Sequence, residues 1–125
     1  MSQNVIAAEY PLSGLKVLDF SRVLAGPFAG RMLCDLGADV VKVEPPDGDI
    51  TRLWGANIAG IPGYYSQQNA GKKNISIDLR ANGAVELVFE MVKQADILIE
   101  NYRPDVMPRL GLGYEQLDEI NPKLI

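Results

Sequence analysis

Leu15-Lys16-Val17-Leu18-Asp19-Phe20 and Asp39-Val40-Val41-Lys42-Val43-Glu44 decide the fold, together with the turn Ser21-Arg22-Val23-Leu24-Ala25-Gly26-Pro27 that follows the first of them. Both segments are short, apolar and rich in aliphatic residues, the pattern of strands buried within a sheet. Between them Phe28, Met32, Leu33 and Leu36 fall at i, i+4, i+5 and i+8. That spacing predicts a helix with these residues as its apolar face, and Gly37 is its natural C-terminal stop. A strand, a helix and a strand in this order imply a parallel pair joined by a right-handed crossover.

The unit recurs downstream. Asn74-Ile75-Ser76-Ile77-Asp78-Leu79 alternates and reads as a third strand. Asn82-Gly83 then opens a helix through Gln94, with Val85, Val88, Phe89 and Val92 as its apolar stripe. Asp96 to Glu100 is a fourth strand, Arg103 to Leu110 a short helix or turn, and Tyr114 to Ile120 a helix ended by Asn121-Pro122. Lys123-Leu124-Ile125 reads as the opening of a fifth strand, so the chain is expected to be a fragment. Residues 45–71 form a long Gly- and Pro-rich excursion, with a short helix near Tyr64 to Gln68. Such loops are usually functional or disordered. The expected fold class is α/β: a Rossmann-like parallel sheet with flanking helices, incomplete at strand five, with residues 1–11 as a loose leader to residues 12–125.

Composition narrows the function. The 125 residues are 47% hydrophobic and 22% charged, enough for one core. A net charge of −4 gives no global basic footprint for nucleic acid. The sequence has no histidine, so it offers no Ser-His or Cys-His pair and no Cys/His cluster for zinc. Its one cysteine, Cys34, precludes an internal disulfide, suits a reducing cytoplasm and reads as helix core. No run approaches the roughly 18 apolar residues of a membrane span, and the first residues lack the features of a signal peptide.

Ligands of open parallel sheets bind at the carboxyl ends of the strands. The small residues after the first strand let backbone approach a ligand, and a helix N-terminus favours phosphate. Glu44 ends the second strand, where dinucleotide folds keep a ribose carboxylate, but G-x-G-x-x-G is missing and Pro27 removes an N–H. A tight structural turn is the competing reading. Lys72 and Lys73 precede the third strand, Arg80 follows it, and Arg103 and Arg109 follow the fourth. Arg80, Arg103 and Arg109 are expected to converge on one face, where guanidinium groups suit phosphates; a solvated rim of surface charge is the alternative. Asp19 either caps the turn or faces the cleft. Trp54, Tyr64 and Tyr65 either line a channel or anchor the excursion.

Five ordered motifs carry a resemblance: Leu12 to Asp19; Arg22 to Ala29; Leu36 to Pro46; Asn69-Ala70-Gly71-Lys72-Lys73 with its strand; and Ala95 to Pro104 with Arg109 to Tyr114, closed by Asn121 to Ile125. Over residues 12–125 the chain resembles the family III CoA-transferases of the CaiB/BaiF type. The resemblance implies a CoA-binding Rossmann-like domain, an interlocked homodimer of longer chains, and transfer of CoA from an acyl-CoA to a small carboxylic acid. It implies no metal, and it places the attacking aspartate beyond Ile125. The CoA contacts it implies are Val23, Leu24 and Ala25 at the turn; Ile77, Asp78, Leu79 and Arg80 beside the adenosine; Asn101, Tyr102 and Arg103 after strand four; Arg109 at a phosphate; and the pair Lys72 and Lys73. Formyl-CoA transferases place glutamine where Leu24 stands and arginine where Pro45 stands, which argues against formyl or oxalyl specificity. The rival readings are an α-methylacyl-CoA racemase, which needs a histidine downstream, and a CoA-binding fragment inactive by itself.

Overall fold

The computed structural model describes residues 10–125, so of the expected leader only Tyr10 and Pro11 are within view. Four parallel strands form the central sheet: β1 (Lys16–Asp19), β2 (Asp39–Glu44), β5 (Lys73–Ser76) and β6 (Ile97–Ile99), in the order β5-β2-β1-β6. Helices α1 (Ala25–Asp35), α2 (Gly63–Asn69), α3 (Ala84–Val92), α4 (Val106–Arg109) and α5 (Tyr114–Ile120) surround it. The sheet and its flanking helices bear out the expected architecture. Strand alternation splits the core in two. On one face Val17 and Val40 meet Leu33 and Cys34 of α1. On the other, Leu18, Phe20 and Val43 pack with Val88 and Val92 of α3 and Leu117 of α5. Phe20 and Val88 are wholly buried, and each such side chain contributes about 1.5–3 kcal/mol through the hydrophobic effect.

Three expectations change. The stripe assigned to α1 is rotated: Phe28, Met32 and Leu36 are 50%, 50% and 43% exposed, whereas Gly26, Pro27 and Gly30 are buried. The cause is close approach. A Cβ on Gly30 would lie 2.6 Å from Asp19 Oδ2, and one on Gly26 would lie 2.2 Å from the Ser21 Cβ, so only small residues fit against β1. The third strand ends at Ser76, and Ile77 to Leu79 continue as a loop, although the Ile77 N–H still donates to the Glu44 carbonyl at 2.8 Å. At the other edge no fifth strand forms. Ile125 nevertheless donates to the Asp96 carbonyl and accepts from the Leu98 N–H, at 3.0 and 2.9 Å, which is parallel-ladder pairing beside β6.

The excursion is ordered. It holds a 3₁₀ turn (Ile50–Leu53), a small hairpin of β3 (Asn57–Ile58) and β4 (Ile61–Pro62), and the anticipated α2. What ties it down is charge. The α1 face of the sheet is apolar at its amino end but carries Asp19, Lys42 and Glu44 toward its carboxyl end, all buried. A lone ion there is very costly, and the segment between β2 and β5 supplies each partner. Lys72 Nζ reaches Asp19 Oδ2 at 2.7 Å and also donates to the Pro27 carbonyl and to Asn69 Oδ1. Asp49 lies 3.5 Å from Lys42 Nζ. Arg52 forks onto Glu44 with two bonds of 2.8 Å, and Tyr65 Oη and Asn74 Nδ2 also donate to that carboxylate. The Arg52 guanidinium sits 3.8 Å above the Tyr65 ring.

Two predictions follow from this layer. Removing the Lys72 charge (Lys72→Met) strands Asp19 and is expected to lower unfolding free energy by about 3–5 kcal/mol. Lys73→Met, which breaks an exposed pair with Asp39, is expected to cost less than about 1 kcal/mol; urea denaturation of both variants checks the contrast. Burial opposes ionisation of Glu44, but the hydrogen bonds from Arg52, Tyr65 and the Asp49 N–H outweigh it and hold its carboxyl down from 4.5 to about 2. A carboxyl depressed in the folded state stabilises above its unfolded pKa and loses that contribution as pH falls through the folded one. Stability is therefore expected to fall between about pH 4.5 and 2, with a shallower decline in Glu44→Gln, read from urea midpoints against pH.

Candidate functional site

A cleft of about 890 Å³ opens at the carboxyl ends of β2 and β5, within the roughly 300–1,000 Å³ of small-molecule sites. Its walls come from three segments: Glu44 to Gly48 after β2, Ile77 to Arg80 after β5, and Tyr102, Val106, Arg109 and Leu110 after β6. Arg22, from the turn after β1, closes the fourth side. Val43, Ile77, Leu79 and Leu110 form an apolar wall, and Arg22, Arg80 and Arg109 bring three guanidinium groups to it. That combination suits a ligand with a flat apolar body and several phosphates.

The expected site residues divide. Ile77, Asp78, Leu79, Arg80, Tyr102 and Arg109 line the cleft. Arg109 also pairs with Asp105 at 2.8 Å, but both are exposed, so that pair holds the guanidinium only weakly. Burial pushes the Tyr102 hydroxyl up, neighbouring carboxylates add to the shift and Arg22 partly offsets it; the phenol therefore stays neutral as a hydrogen-bonding group. Val23, Leu24, Ala25 and Asn101 do not line the cleft; Val23 to Ala25 follow Arg22 in the chain, and Asn101 bonds the Arg22 backbone. Lys72, Lys73 and Arg103 fall elsewhere. Lys72 is consumed by Asp19. Lys73 lies at the amino end of β5, paired with Asp39 at the start of β2. Arg103 faces a separate cavity of about 340 Å³ beside Leu98, Met107 and Ile125, so the expected convergence holds for Arg80 and Arg109 only.

The residue that sequence reasoning missed is Arg22. Its Nε is buried with no hydrogen-bond partner, one of two such side-chain atoms among the described residues. A buried unpartnered donor in a cleft calls for an acceptor from outside the protein. Its position after the first strand was the available signal. Glu44, by contrast, stands where a ribose carboxylate would but is wholly engaged by Arg52, Tyr65 and Asn74. Trp54 and Tyr64, both within the excursion and outside the cleft lining, pack against each other with ring centroids 5.7 Å apart, and Tyr65 anchors the excursion to Glu44.

The turn that presents Arg22 is gripped along its backbone. Asp19 Oδ1 accepts from the Ser21 N–H and hydroxyl, so the capping reading of Asp19 is the observed one. Lys42 Nζ donates to the Ser21 carbonyl at 2.7 Å. Asn101 accepts from the Arg22 N–H and donates to its carbonyl, both at 2.8 Å. Asp49 Oδ2 accepts from the Val23 N–H at 3.2 Å. Val23 itself sits at φ 72°, left-handed backbone that costs a non-glycine residue about 1–3 kcal/mol and is most unfavourable for a β-branched one.

Known proteins bear on this geometry. The profile of CoA-transferase family III matches residues 12–125. Succinate–glutarate CoA-transferase of Agrobacterium fabrum is 46% identical over 125 residues, covering 92% of this chain and 31% of that protein. Acetyl-CoA:oxalate CoA-transferase of Acetobacter aceti is 47% identical over 116 residues, covering 92% and 30%. Among solved structures, a CAIB/BAIF family protein from Brucella suis superposes with a TM-score of 0.88 at 46% identity, covering 94% of this chain and 32% of that one. The chain thus spans about a third of the length of these relatives. With the profile running through every wall of the cleft, the chain belongs to CoA-transferase family III.

Proposed function

We propose that this chain is the CoA-binding part of an enzyme that moves CoA from an acyl-CoA thioester to an acceptor carboxylate. The observation that carries the reading is the convergence of Arg22, Arg80 and Arg109 on one apolar-walled cleft in a chain of this family. CoA offers a flat adenine, a 3′-phosphate and a pyrophosphate. The adenine suits the Val43, Ile77 and Leu79 wall, the phosphates the guanidinium groups, and the buried Arg22 Nε one phosphate oxygen. The pantetheine arm then runs along the Val23–Ala25 turn toward the reacting thioester.

The chemistry resides in a carboxylate beyond Ile125. An aspartate attacks the thioester carbonyl and expels CoA thiolate, leaving a mixed anhydride. The thiolate attacks the aspartyl carbonyl of that anhydride and releases the donor acid, leaving an aspartyl thioester. The acceptor carboxylate attacks this thioester and again expels CoA thiolate, which finally takes the acceptor acyl group and frees the aspartate. A covalent relay splits one difficult exchange into easier acyl transfers. The residues of this chain bind and orient CoA throughout.

The exposed apolar residues Phe28 and Met32 of α1 and Leu24 and Leu36 at its two caps support an interlocked homodimer for the complete protein. We place the enzyme in the cytoplasm, whose reducing conditions suit the lone cysteine of this chain, Cys34.

Two measurements test the reading. In calorimetry with CoA, Arg22→Ala, Arg80→Ala and Arg109→Ala are each expected to weaken binding roughly tenfold to a hundredfold, while Lys73→Ala stays within about twofold. Equal effects at all four positions would contradict the cleft. In the complete protein, incubation with acyl-CoA and hydroxylamine is expected to yield an aspartyl hydroxamate. Absence of both hydroxamate and CoA transfer across a panel of acids would sink the proposal. Exchange of the α-proton of a 2-methylacyl-CoA in deuterated water would assign racemase chemistry instead.

A further inference from the structure

Lys42 and Asp49 are a buried ion pair that no wall of the cleft includes. Their side chains are each 1% exposed, and they approach to 3.5 Å. Asp49 is fixed from behind by Thr51, whose N–H and hydroxyl donate to Oδ1 at 3.0 and 2.9 Å. Burial opposes its ionisation, but the Thr51 hydrogen bonds, the Lys42 charge and the Val23 N–H hold the carboxyl below its ordinary range. A buried pair of this kind is weak evidence for stability, because apolar residues of similar volume often serve as well. Apolar residues cannot supply what this pair directs at the turn: a hydrogen bond from Lys42 to the Ser21 carbonyl and one from the Val23 N–H to Asp49. These two bonds bracket Arg22 and end on the residue in left-handed backbone.

We propose that Lys42 and Asp49 are positioning residues that clamp Val23 in its left-handed conformation and so aim the Arg22 side chain into the cleft. They act through backbone at Ser21 and Val23 and touch no cofactor. The pair comes from β2 and the start of the excursion, so the turn after β1 takes its shape from chain that follows it by 21 residues at Lys42 and 26 at Asp49. The consequence for CoA binding rests on the function proposed above; the clamp itself does not.

The test separates the two. Asp49→Asn presents Val23 with a donor or a neutral acceptor in place of the carboxylate and leaves Lys42 uncompensated. In the complete protein, hydrogen exchange of the Val23 amide is expected to accelerate at least about tenfold, while the Val17 and Val40 amides change less than about twofold. Uniform acceleration, or an unchanged Val23 amide, would overturn the clamp whether or not the protein binds CoA. CoA affinity then reads the consequence through a double-mutant cycle. Asp49→Asn is expected to weaken CoA binding about tenfold beside Val23, and less than about threefold in the Val23→Gly background, because glycine enters the left-handed region without a clamp. Equal losses in both backgrounds would show that Asp49 acts by another route. Wild-type protein that binds no CoA would sink the CoA reading alone. If Asp49→Asn does not fold, Thr51→Val, which removes one bond to Asp49, is expected to give the same local pattern at about threefold.

Discussion

Three ionised side chains beneath one helix set the terms for this structure. Asp19, Lys42 and Glu44 lie buried on the α1 face at the carboxyl ends of β1 and β2, where an uncompensated charge cannot be tolerated. Their partners Lys72, Asp49 and Arg52 all come from the segment between β2 and β5. The long Gly- and Pro-rich excursion is therefore obliged to fold back over the sheet. In doing so its first residues, Pro45 to Gly48, become a wall of the cleft. The same layer dictates how α1 sits. With Asp19 and Lys72 directly below it, the helix comes down on glycines and turns its larger apolar residues outward.

The site inherits its rigidity from that arrangement. The turn after β1 has a hydrogen-bond partner at successive backbone groups from Ser21 to Val23, and the partners Asp19, Lys42, Asp49 and Asn101 come from four separate segments of the chain. Rigid presentation favours any flexible ligand, because ordering performed in advance by the protein is not charged against binding. The cleft thus combines preorganised walls with arginines that the protein itself holds only lightly. Arg22 is buried but unpartnered at Nε, and Arg109 is held only by an exposed pair.

Much of this was legible in the sequence. The four strands, α3 and α5 follow their periods, and Asn121 ends α5 as expected, with its side-chain amide also donating to the Val92 and Ala95 carbonyls at the end of α3. The face of α1 was not legible, because apolar periodicity weights large side chains and is blind to a close approach that only glycine allows. The hairpin of β3 and β4, two residues a strand, is too short to show any period. Distance along the chain from a strand end does not specify the side of the sheet on which a cation lies. Arg80 and Arg109 point into the cleft, whereas Arg103 turns toward the β6 edge. The position of Glu44 at a strand end is visible in the sequence, but the donors that occupy it are 8, 21 and 30 residues away, beyond the reach of local pattern.

The separation of Asp19 from Lys72, 53 residues, has a consequence for biogenesis. At translation rates of about 5–20 residues per second the lysine is synthesised roughly 3–10 s after the aspartate. In the second half of that interval β1, α1 and β2 have all been made, but Asp19 beneath α1 still lacks its lysine. The strand–helix–strand unit at the front of the chain thus lacks its neutralising charge until Lys72 is made, and a nascent chain waits half-open for it.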